Sequence, residues 1–134
     1  DDNSSDSEPD RVTRSILERR GQKRFREKLL AAYENLCAIT ADGPIDVLEA
    51  AHVEPYAISG SDHPSNGLLL RADIHTLFDL DLIKINPDSL QVEITATLVG
   101  SSYEFLDGRK IKDRVDGEVL SNARLRKRYE SLEK

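Results

Sequence analysis

His52, Asn66 and His75 are the residues whose types and order could do chemistry together. An imidazole titrates near neutral pH, so one can take a proton from water while another helps hold a divalent cation, and both can address one phosphate. The first sits in Glu49-Ala-Ala-His52-Val-Glu-Pro55, the last in His75-Thr-Leu-Phe-Asp79. On a helix His75 and Asp79 share a face and can converge on one ion, and Arg71, one turn earlier, could hold a phosphate by a charge-assisted bond. Asp73 falls about 200° from His75 at roughly 100° per residue, so it reads as a cap or a supporting partner. On a strand, side chains alternate, which points His52 away from Glu49 and Ala51 while Glu49 could reach the ion directly or through water. One imidazole, carboxylates and water suit Mg²⁺ or Mn²⁺, with other first-row divalents also fitting and zinc disfavoured.

The elements that must position these groups are legible from periodicity. Val12 to Tyr33 has helical spacing interrupted by Gly21, which reads as a separator of two helices. Asn35 to Asp46 reads as turn and short strand, Val47 to Val53 as strand, and Glu54 to Ser65 as a loop marked by Pro55, Gly60, Asp62 and Pro64. Leu68 to Phe78 has helical length with Asn66 placed to cap it. Leu82 to Ile85 and Leu90 to Ile94 flank Asn86-Pro-Asp-Ser89 as a hairpin, and Val119 to Leu132 is a basic amphipathic helix capped by Ser121 or Asn122. Residues 1–11 are polar and acidic and read as a disordered linker or tail, leaving 12–134 as one domain with its core at about 37–95. His63 reads as a surface residue, Cys37 as a small core residue, and Tyr33, Tyr56, Phe78 and Phe105 as core aromatics.

Gly21-Gln22, Phe25-Arg26, Cys37-Ala-Ile-Thr40, Glu49-Ala-Ala-His52 and the run from Asn66 through Arg71, Asp73, His75 and Leu77 to Phe78-Asp79 together resemble the HNH endonucleases, in particular those of modification-dependent restriction enzymes. The resemblance covers roughly residues 20 to 112. It implies an α+β fold with a ββα-metal core, here with an N-terminal helical segment, an additional β-hairpin and a C-terminal helix. It also implies metal-dependent hydrolysis of DNA that leaves 5′-phosphate ends, with His52 as general base, Asn66 orienting the active-site loop and His75 binding the metal. Where that family often carries a metal-binding Asp or His before the base, this chain has Ala51, so Asp79 and Glu49 are the other candidate ligands. By analogy the chain is the nuclease module of a larger bacterial restriction or anti-phage defence protein. Its target would be chosen by a fused or partner recognition domain, because such a module contacts mainly backbone phosphates.

Composition sets limits on this reading. The single Cys37 excludes an internal disulfide and a Cys-based zinc site, and points to a reducing, cytoplasmic setting. No apolar run approaches the roughly 18 residues that span a bilayer, and no signal peptide opens the chain. Because the first residue is Asp, the expectation is a piece of a longer polypeptide. The net charge of -6 averages an acidic tail and centre with two basic clusters. One runs from Arg11 to Lys28 and includes Arg24 and Lys28, and the other lies between Arg109 and Arg128; such ends could grip a polyanion. Dimerisation would allow both strands to be cut, although no heptad marks an interface. Two other classes stay open: a DNA-binding module that keeps the fold without its metal, and a protein-interaction module whose basic helices meet an acidic partner.

Overall fold

A computed structural model describes residues 8–132. Helix α1, Glu8–Ala32, runs unbroken through Gly21, so the expected separation into two helices does not occur. A lone glycine costs a helix only about 1 kcal/mol, and here it has a use: a Cβ at Gly21 would lie 3.1 Å from Oδ2 of Asp62. Residues 8–11, assigned by composition to the tail, form the opening of this helix; Pro9 is tolerated there because the first N–H groups of a helix have no internal acceptor. The remainder of the expected tail, 1–7, lies outside the described residues. Phe25 of α1 is buried with Leu29, Ala32 and Tyr33.

Strand β1, Leu48–His52, pairs antiparallel with β2, Gly67–Arg71, with Glu49 opposite Leu70 and His52 opposite Gly67. The expected helix over Leu68–Phe78 is thus half strand, and helix α3 is only Ala72–Asp79. A short apolar run such as Leu68-Leu69-Leu70 cannot by itself separate a helix from a strand covered on both faces. Both α1 and α3 pack on both strands of this ribbon, which removes the polar alternation that would have marked a strand. Asn66 therefore caps no helix, and the N-cap of α3 is Arg71. Residues 35–46 hold turns without a strand, and the loop after β1 contains a short helix α2, Tyr56–Ser59. The expected hairpin is present as β3, Ile83–Ile85, against β4, Val92–Ile94. Helix α4, Asn122–Leu132, is capped by Ser121, whose Oγ accepts from the Arg124 N–H at 3.2 Å. No helix among the described residues is long and apolar enough to cross a membrane.

Gly67 fixes how closely α1 lies on the ribbon. A Cβ there would meet Phe25 Cζ at 2.6 Å and Leu29 Cδ1 at 2.7 Å. Both side chains are buried and cannot swing aside. Gly67→Ala is expected to destabilise the domain by about 1–3 kcal/mol through overpacking, read as a lowered midpoint in thermal or urea unfolding.

Candidate active site

One cleft has a volume of about 750 Å³. α1 supplies Gln22, Phe25 and Arg26 to its wall, β1 supplies Glu49, Ala50 and His52, and α3 supplies His75 and Asp79; Pro55, Tyr56, Asp81 and Arg128 complete it. Strand alternation does set His52 and Glu49 on opposite faces. His52 stands opposite Gly67 on the side covered by α1, and Glu49 opposite Leu70 on the side where His75 stands. The cleft reaches round the free edge of β1 and takes in both. Ala51 is fully buried and contributes no donor.

His52 is held on two sides. Its ring stacks on Phe25 with centroids 4.4 Å apart and planes 13° apart, and its Nε2 lies 2.9 Å from Asp62 Oδ1. A carboxylate on one ring nitrogen fixes the tautomer and leaves the other nitrogen as an acceptor. Asp62 comes from the loop between β1 and β2, and Asn66 shapes that loop. The Asn66 amide, fully buried, accepts from the Glu54 N–H at 2.8 Å and donates to the Glu54 and Ser61 carbonyl oxygens at 3.0 and 3.2 Å. It ties the residue that follows Val53 to the turn that precedes Asp62.

His75 stands between two carboxylates. Nδ1 lies 2.7 Å from Glu49 Oε1, and Nε2 lies 3.1 Å from Asp79 Oδ2, one helical turn on. The expected three-donor set is therefore not assembled: among the described residues no group of three His, Cys, Asp or Glu side chains is arranged to hold an ion. What remains is a pair, His75 Nε2 with Asp79, while Glu49 grips the far side of the ring as carboxylates behind metal-binding imidazoles do. Such a pair fits a cation that keeps most of its water, which is the habit of Mg²⁺. The charge census agrees, because Glu49, Asp79 and Asp81 outnumber Arg26 and Arg128 along the cleft. A phosphate entering unaided would meet excess negative charge.

Arg71 is not in this cleft. Its guanidinium is spent on Asp73, with Nε 3.0 Å from Oδ1 and a second bond of 2.9 Å, and on Asp42 at 3.0 Å. Asp73 also accepts from Tyr103 Oη at 3.0 Å, which makes it the structural partner that its helical phase indicates. The Arg71 hydrogen bonds, against some burial, draw the Asp73 carboxyl down to about 2. A depressed carboxyl stabilises the fold fully above its unfolded value of 3.8 and loses that contribution as pH falls through about 2. The unfolding midpoint of the wild type is therefore expected to fall more steeply between those values than that of Asp73→Asn.

Arg26 and Arg128 are the cleft's cations. Arg26 donates from Nε to Leu48 O and from a terminal nitrogen to Ile45 O, each at 3.0 Å, and has no carboxylate partner among the described residues. Arg128 lies 3.9 Å over the Phe78 ring and donates to Val53 O, Phe78 O and Asp81. Burial lowers its pKa against the pull of Asp81 and Asp79. Sequence reasoning gave neither a place in the site, although each lies on the apolar stripe of its helix, beside Phe25 and Leu125, where a charge needs a reason. Asp62 carried no such signal, since loops have no period.

The basic clusters separate in the fold. Arg124 and Lys127 pair with Glu54, Arg126 with Asp88, Lys112 with Glu34 and Arg114 with Asp116. On α1, by contrast, Arg20, Lys23, Arg24 and Lys28 are exposed and have no partner among the described residues. Two expected core aromatics, Tyr56 and Phe105, are exposed, whereas Tyr33 and Phe78 are buried; Tyr56 follows a turn-forming proline and lies on the cleft wall instead. His63 is a surface residue that caps the turn at Pro64, and Cys37 is a buried core residue.

Residues 37–86 match the family described as HNH endonuclease. The match takes in β1, β2, α3 and β3 with His52, Asn66, His75 and Asp79, while α1 and α4 lie outside it. No curated protein matches the chain. This match supports a nuclease or DNA-related function.

Proposed function

We propose that the chain is a DNA endonuclease whose β1, β2 and α3 form a ββα-metal centre. The observation that carries this is the convergence on one cleft of His52, backed by Asp62, and His75, backed by Glu49 and flanked by Asp79. Asp62 keeps the Nε2 proton of His52, so Nδ1 takes the proton from an attacking water. Arg26, held by two carbonyl oxygens, offers its remaining N–H groups to the scissile phosphate, the role that sequence had suggested for Arg71. His75 and Asp79 would hold a Mg²⁺ or Mn²⁺ ion, which would offset charge developing on the phosphoryl and leaving oxygens. Asn66 keeps the loop that carries Asp62 in place. Such a module suits a larger restriction or defence protein in which another domain selects the target, since contacts to phosphates position without reading sequence.

The unneutralised face of α1 is the DNA contact in this reading. Lys23→Gln, Arg24→Gln and Lys28→Gln are each expected to weaken binding to duplex DNA in EDTA about equally for all sequences. Each should reduce the slope of log affinity against log salt by about 1. Fluorescence anisotropy at several salt concentrations checks this, and the same substitution at Lys127 should leave the slope unchanged because Lys127 is paired with Glu54.

The function itself is tested with supercoiled plasmid and Mg²⁺ or Mn²⁺. Relaxation that disappears in EDTA supports the nuclease. A mobility shift without cleavage supports the DNA-binding module instead, and neither effect supports the protein-interaction module.

A further inference from the structure

We infer that Tyr56 is a substrate-binding residue, packing its ring against the nucleoside next to the phosphate that is cut; this rests on the nuclease reading above. Of the four tyrosines, Tyr33 is buried and Tyr103 and Tyr129 give their hydroxyls to Asp73 and Glu93. Tyr56 differs from them. It is 42% exposed, and its hydroxyl has no partner among the described residues. Its ring centroid lies 5.8 Å from that of His52, tilted by 56°. Phe25, His52 and Tyr56 thus form one aromatic row along the cleft, buried at Phe25 and open at Tyr56.

The position follows from the turn after β1. Pro55 starts α2, and Tyr56 is its first residue, so the backbone that carries His52 turns and presents the next aromatic side chain to the same cavity. A phosphate within reach of His52 brings its own sugar and base along the row, because a nucleotide is longer than the gap between the two rings. Every base has a π-face, so stacking on tyrosine adds affinity with little sequence choice. The cleft charges cannot replace this contact, since they act on the phosphate alone. Base stacking on an aromatic ring is worth about tenfold or more per base.

The test uses end-labelled duplexes resolved to the nucleotide, intact or with one stable abasic residue, in Mn²⁺. Wild type is expected to cut one of the two phosphates flanking the abasic residue about tenfold more slowly than the same phosphate in intact DNA. Tyr56→Ala should cut intact DNA about tenfold more slowly at all positions, show no further loss beside the abasic residue, and keep its unfolding midpoint. Tyr56→Phe should behave as wild type. Undiminished wild-type cutting on both sides of the abasic residue would overturn the inference, as would full activity in Tyr56→Ala or an abasic loss that persists in it. An inactive wild type on intact duplex would instead remove the nuclease reading and this inference with it.

Discussion

His52→Ala is expected to slow plasmid cleavage by about 10²- to 10⁴-fold, the usual worth of a positioned general base, while binding to duplex DNA in EDTA stays near the wild-type level. Binding persists because the charged groups assigned to DNA, Arg26 and the exposed face of α1, do not depend on the imidazole. Asp62→Ala should show a smaller loss, since it removes the group that orients His52 and not the base itself. The double variant should be no slower than His52→Ala, because residues that act through one another are not additive. Single-turnover rates for the three variants test this. Additive losses would mean that Asp62 acts elsewhere.

Asn66→Ala should have the largest effect on stability. It leaves the Glu54 N–H and the Glu54 and Ser61 carbonyl groups without the amide that now satisfies them in a fully buried position. Unsatisfied buried polar groups cost about 1–3 kcal/mol apiece, so a loss on the order of 3 kcal/mol is expected, seen as a drop of roughly ten degrees in the unfolding midpoint. Asn66→Asp should be worse despite its similar shape. A carboxylate still accepts from the Glu54 N–H but confronts two carbonyl oxygens where the amide donates, and it buries a charge. Thermal unfolding of both variants settles the order; an Asp variant as stable as wild type would mean that the amide bonds are not what holds this loop. Cleavage should fall further than stability alone explains, since the same loop carries Asp62.

Much of the site was legible because its residues sit on periodic elements. His75 and Asp79 share a helical face, and His52 ends a strand; those relations survive in the fold. The helix and strand readings parted at Leu68-Leu69-Leu70, where burial on both faces erased alternation, and with that error Asn66 was also read as a helix cap, beside the loop-orienting role that the resemblance implied. Arg71 was read in helical phase with His75, but it precedes the helix and is drawn aside by Asp42 and Asp73. Gly21 looked like a break because local sequence does not show the Asp62 carboxylate that approaches it. Which basic cluster stays free for a polyanion depends on where Glu54, Asp88 and Asp116 arrive, and those are tertiary facts.

The division of labour between the two imidazoles is tested most directly by Mn²⁺ binding, measured by electron paramagnetic resonance beside plasmid cleavage, in wild type, His52→Ala and His75→Ala. Wild type should bind Mn²⁺ and cut, His52→Ala should bind as wild type does and fail to cut, and His75→Ala should lose both. Wild-type cleavage by either variant, or unchanged Mn²⁺ binding by His75→Ala, would contradict this assignment of base and metal ligand.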